Sequence, residues 1–170
     1  MYLLRILLLS FTLVFSTNAL SQEYQVPKNY KLEKKDDYKP YEKDILATIE
    51  FLETSSFDSD NKLRTEANAF FLKWITGCPY IKINIRGYVM NYTKENKGFL
   101  FTFLGGWVKF AIEHPDSVND FNGNLAGLKS IIKVYELEND IEDDDNVEDL
   151  IKLKNEGKLE SWLEEKLKEE

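Results

Sequence analysis

Between Gly98 and Ile112 the chain reads GFLFTFLGGWVKFAI, with Lys109 as its single charge. No other stretch restricts the fold as strongly. A bilayer span takes about 20 apolar residues, so this run is too short to cross a membrane. A helix that is apolar nearly all round belongs at the centre of a helical domain. The pattern predicts a helix from roughly Lys94 to Glu113, stopped by Pro115.

The flanking segments supply partners for such a centre. Pro40 opens a helix whose inner face is Tyr41, Ile45, Ile49 and Leu52, ended by Ser55-Ser56. A second helix runs from about Asp60 to Thr76, with Leu63, Ala67, Phe70, Phe71 and Trp74 at helical spacing. Gly77 reads as the residue that closes it, and Pro79 forbids its continuation. After Pro115, with Asp116 or Ser117 as cap, Val118, Phe121, Leu125, Leu128, Ile132 and Tyr135 recur at steps of three and four. Beyond the acidic loop from Glu138 to Asn146, a short helix carries Val147, Leu150 and Ile151. Gly157 breaks it, and a terminal helix carries Leu159, Trp162, Leu163 and Leu167. Tyr80 to Ile85 alternates instead, with Ile81, Ile83 and Ile85 on one side. No second strand offers to pair with it, so it reads as an extended crossover burying three isoleucines. The fold expected is all-α, a single-domain bundle of about six helices with one short extended crossover segment.

The N-terminus sets the expected compartment. Met1 to Arg5 carries one positive charge, Ile6 to Phe15 is apolar apart from Ser10 and Thr12, and Ser16 to Ser21 is mostly polar and small. That order is the pattern of a secretory signal peptide, with cleavage expected before Gln22 and a second acceptable cut after Ala19. The expected organisation is a signal peptide at 1–21, an extended arm at 22–39 holding Pro27, and a helical domain at 40–170. Once cleaved, the chain keeps no stable membrane span, and the product is periplasmic or secreted. The 149 remaining residues suffice for one domain with a real core. Losing Arg5 leaves 21 basic against 30 acidic side chains, a charge of −9 that repels phosphate backbones; no basic stripe offsets it, and no nucleic-acid partner is expected.

Candidate chemistry is sparse. Cys78 is the only cysteine, so no disulfide forms within one chain. It follows a helix C-terminus, where the negative end of the dipole disfavours a thiolate. His114, the only histidine, also sits at a helix end, and a Cys78–His114 pair would require the two ends to meet. One cysteine and one histidine make no zinc site, and the loop ENDIEDDDNVED lacks the glycine and ligand spacing of a calcium loop. Asp144, Asp145 and Asn146 read as helix caps. GNLAGLKS, Gly123 to Ser130, has its glycines one residue too close for a phosphate loop. Asn91-Tyr92-Thr93 is an N-glycosylation sequon, meaningful where the host glycosylates. Neither a metal, a cofactor nor a catalytic residue is implied. What stands out is glycine inside two strong helices: Gly105 and Gly106 beside Trp107, and Gly123 and Gly127 one turn apart. Such notches admit a neighbouring helix, or serve as a groove for a ligand or partner.

The segments FLKWITGCP, GGWVKFAIE, GNLAGLKSIIKVYE and IKLKNEGKLESWL together resemble small exported proteins of Bacteroidota, mostly flavobacterial, over about Ile45 to Leu163. The resemblance implies a Gram-negative envelope location and a helical fold, and carries over no activity, cofactor or catalytic residue. In overall plan only, the chain is also similar to helical periplasmic acid-stress chaperones and secretion-system immunity proteins. Those usually carry paired cysteines, unlike this chain. The function expected is a non-enzymatic periplasmic or secreted module that binds a protein partner or a small apolar ligand. The alternatives are an envelope enzyme using carboxylates from separate helices, and a chaperone- or immunity-type protein.

Overall fold

The computed structural model describes residues 23–57, 61–137 and 140–169. The expected signal peptide lies outside them. Among the described residues the chain forms an all-α bundle of six α-helices: α1 (Glu42–Thr54), α2 (Lys62–Gly77), α3 (Phe99–Glu113), α4 (Asp120–Tyr135), α5 (Asp145–Asn155) and α6 (Leu159–Glu169). Short 3-10 turns occupy Lys35–Asp37, Lys39–Tyr41, Gly87–Thr93 and Pro115–Ser117. Among the described residues no helix is long and apolar enough to cross a membrane.

The apolar run is the centre of the bundle. Phe99, Phe103, Trp107 and Val108 of α3 are buried, and α3 makes its most extensive contact with α4, then packs on α1. α2 covers the far side of α1 through Phe70, Phe71 and Trp74, all fully buried. α5 and α6 pack on α4 through Val147, Leu150, Leu159 and Leu163. Gly157, in the left-handed region at φ 68°, closes α5; its N–H reaches the Lys154 carbonyl, and the Lys158 N–H reaches that of Leu153.

Two buried charges lock α1 in place. Arg64, in the first turn of α2, donates to the carbonyls of Leu52 and Ser55 and to the Ser55 hydroxyl, at 2.9, 3.1 and 2.8 Å. It thus caps the negative C-terminal end of α1. Its guanidinium lies 4.1 Å from the centre of the Phe57 ring, and burial lowers its pKa to about 10. Glu53, also buried, accepts from the Ser130 hydroxyl and the Lys133 ammonium of α4, both at 2.6 Å.

The structure corrects several boundaries. α3 begins at Phe99 and not near Lys94, because the Asn96 amide exchanges hydrogen bonds of 2.8 and 2.9 Å with the Glu142 backbone, which ties that segment to the acidic loop. α4 is capped by Asn119, whose side chain accepts from the Asn122 N–H at 2.8 Å, while Asp116 and Ser117 lie in a 3-10 turn and Val118 is exposed. Asp144 caps α5 as the sequence suggests. In the crossover only Ile81 is buried; Ile83 is half-buried and Ile85 is 45% exposed. Unpaired, the segment is not held to the two-residue alternation of a strand. On α2, Leu63 is only half-buried, and it is Arg64 that turns inward. Gly77 is the last residue of α2 and not a left-handed cap; a Cβ there would lie 2.0 Å from the Tyr38 hydroxyl oxygen.

Burial of Tyr92, aided by the negative charges of Asp144 and Asp149, raises its pKa above the usual 10.0. The folded chain therefore holds this proton where the unfolded chain releases it, so stability falls as pH rises past about 10. Arg64, with a lowered pKa, acts in the opposite direction over the same range. Comparison of the parent with Tyr92→Phe isolates the tyrosine. In urea melts between pH 9 and 11.5, the variant is expected to show the shallower loss of stability; equal slopes would refute the assignment.

Candidate binding cleft

The N-terminal arm builds an open concavity against α1. Its sequence has no helical period, yet its aromatic side chains bind it to α1 and α2. Tyr24 stacks on Phe51 with ring centres 4.4 Å apart and planes 16° from parallel. Tyr30 meets Phe70 edge-on at 4.8 Å. Tyr38 is buried, and its carbonyl accepts from Trp74 Nε1 at 3.0 Å. The Tyr24 hydroxyl lies 2.9 Å from Thr48 Oγ1, and Thr48 already donates to the Asp44 carbonyl at 2.6 Å. A hydroxyl has one proton, so Tyr24 is the donor in the first bond. Burial, partly offset by Thr48 and reinforced by Asp44, raises the pKa of Tyr24 and keeps that proton in place.

This tether holds Glu23 to Gln25 across the outer face of α1. With Ile45, Ile49 and Leu52 turned to the core, Asp44, Ala47, Glu50 and Thr54 line up outside. Between arm and helix lies an open cleft of about 630 Å³. Its floor is the Tyr24–Phe51 pair, and Glu23, Asp44 and Glu50 stand around it. No basic side chain lines it, and none of the three carboxylates enters an ion pair among the described residues. Smaller open clefts lie across the arm beside Tyr30 and Glu66, and between Tyr135 and Glu148.

The glycines named from the sequence lie elsewhere, inside the bundle. Gly106, Gly123 and Gly127 form the α3–α4 seam. A Cβ on Gly106 would lie 2.6 Å from the Ala126 carbonyl oxygen, one on Gly123 2.1 Å from Trp107 Nε1, and one on Gly127 2.5 Å from the Phe103 ring. Gly105 belongs to another contact, facing Ile49 of α1. Trp107 is 2% exposed and fills the seam against Gly123. Gly106, Trp107, Gly123 and Gly127 are thus brought together as helix packing, Gly105 faces α1, and the groove read from the five is occupied by Phe103, Trp107 and the α4 backbone.

Cys78 is buried at the end of α2, beside Tyr80, whose pKa is raised by burial and by Cys78 and Glu42. His114 is exposed at the end of α3, with its ring 5.0 Å from that of Phe110. We expect thiol reagents to modify folded Cys78 slowly at neutral pH, and Cys78→Ala to cost about 1–2 kcal/mol. A labelling time course with and without urea checks this; equal rates in the two would contradict it. Among the described residues no three His, Cys, Asp or Glu side chains converge to hold a metal ion, and this includes the described part of the acidic loop. Sequence reasoning passed over the cleft. The signal was Asp44 and Glu50 flanking Ala47 on the outer face of α1, with threonine and not lysine four residues after each acid. No protein-family model matches the chain, and neither does any curated protein or solved structure.

Proposed function

We propose that the chain is an exported, non-enzymatic binding module, and that it meets a protein partner at the cleft between the N-terminal arm and α1. One observation carries this reading: the cleft is an open, amphiphilic surface, with an aromatic floor and carboxylates that enter no ion pair among the described residues. Aromatic rings are enriched at recognition surfaces, and the exposed carboxylates around them set the charge that a partner must complement. The signal-like N-terminus supports export. The Bacteroidota resemblance supports an envelope location.

Site-specific photo-crosslinking in the native host tests the reading. A photoreactive residue at Ala47, exposed at the centre of the cleft, is expected to yield adducts of discrete mass. The same group at Glu165, exposed on α6, is expected to yield none. Absence of adducts at position 47, or the same adducts at both positions, would contradict the proposal. Mass spectrometry of the mature chain from the same cells tests export: a product starting at Gln22 or Leu20 is expected, and an intact Met1 would overturn it.

A further inference from the structure

The geometry points to a lysine- or arginine-bearing extended segment of a partner protein as the occupant of the arm–α1 cleft. This rests on the cleft being the recognition surface proposed above, and it names the chemistry recognised there. Three features select it. Glu23, Asp44 and Glu50 surround the cleft with no cation among its described lining residues, so an anionic occupant is repelled and a cationic one attracted. The floor is a stacked Tyr24–Phe51 pair, both rings half-buried, which offers apolar surface to the stem of a long side chain. Among the described residues no three carboxylates converge to hold a metal ion, so the cleft is not built as a compact divalent-cation site. A flexible side chain ending in an ammonium or guanidinium reaches separated carboxylates, while its methylenes cover the rings. The cleft is open and runs along a part of the arm without regular secondary structure, Glu23 to Gln25, which suits a segment and not a globular surface.

The test is a fluorescence-anisotropy titration of the full chain with a labelled heptapeptide, Gly-Lys-Ala-Arg-Ala-Lys-Gly, and a control with glutamine at its three basic positions. The basic peptide is expected to bind and the control not. Binding should weaken as salt rises from 50 to 500 mM, because exposed charges are screened. Asp44→Asn and Glu50→Gln are each expected to lower affinity about 1.5- to 5-fold, the range for exposed ion pairs. Phe51→Ala should lower it further, with folding checked by circular dichroism. Glu164→Gln with Glu165→Gln, on exposed α6, controls for general attraction to an acidic protein and should leave affinity unchanged. Equal binding of both peptides would overturn the inference. So would an affinity insensitive to Asp44 and Glu50, or one lowered as much by the α6 pair. If crosslinking at Ala47 succeeds while this test fails, the cleft is a recognition surface for a different chemistry, and only the cationic assignment falls.

Discussion

Replacing Trp74 with alanine is expected to lower stability by about 3–5 kcal/mol, the usual cost of removing a fully buried large aromatic side chain. Trp74 is 0% exposed, and it joins three parts of the molecule. Its body packs in α2, its ring lies 6.4 Å from Tyr38 and 6.3 Å from Tyr80, and its N–H satisfies the Tyr38 carbonyl. Loss of that donor leaves a buried carbonyl unpaired and loosens the arm where it enters the fold. Trp74→Phe keeps most of the volume and removes the N–H, so a smaller loss of about 1–3 kcal/mol is expected. Urea unfolding of the three proteins checks both values. A cost below about 1 kcal/mol for Trp74→Ala would mean that the arm is not anchored there.

The second large effect is expected at the α3–α4 seam. Gly106→Leu and Gly127→Leu should each destabilise by about 1–3 kcal/mol or more, as overpacking does. Even alanine is expected to destabilise at these positions. Within a helix, alanine is favoured over glycine by about 0.8–1 kcal/mol. At Gly106, however, the new methyl would meet the Ala126 carbonyl oxygen at 2.6 Å, and a neighbouring helix backbone does not yield as a side chain does. At Gly127 it would meet the Phe103 ring at 2.5 Å and the Phe103 carbonyl oxygen at 2.9 Å. Gly105 is the contrast, since its nearest contact is a methyl of Ile49 at 3.2 Å, close enough to a normal distance for a small shift to relieve. Gly105→Ala is therefore expected to stay within about 0.5 kcal/mol of the parent, propensity offsetting crowding. Thermal melts that rank Gly105→Ala below Gly106→Ala would contradict the seam.

The helices were legible wherever one face alone meets the core. Ile45, Ile49 and Leu52 of α1 and Leu125, Leu128 and Ile132 of α4 recur at helical spacing and are all buried. The length and apolarity of α3 placed it at the centre. Arg64 was not legible, because a charge on a helix normally reads as solvent-facing, and its partners are main-chain carbonyls of another helix brought near only by the α1–α2 crossing. The arm escaped for a different reason. Tyr24, Tyr30 and Tyr38 follow no period, and irregular chain leaves no pattern when it is held by side-chain contacts and not by a strand. The cleft inherits that difficulty: half of it is α1, readable in sequence, and half is an arm whose position depends on the Tyr24–Phe51 stack and the Tyr24–Thr48 hydrogen bond. The glycines were legible as close-approach residues, but sequence does not say which helix approaches, and Gly105 turned out to face α1.

The most direct test of recognition at the arm–α1 cleft is a two-dimensional amide NMR titration of the labelled chain with the unlabelled basic heptapeptide. Concentration-dependent shifts are expected, confined to the arm from Glu23 to Gln25 and to the outer face of α1 from Asp44 to Thr54, lost in high salt and absent with the glutamine control. Shifts centred instead on the acidic segment around Asp143 and Glu148, or spread evenly over the surface, would contradict it.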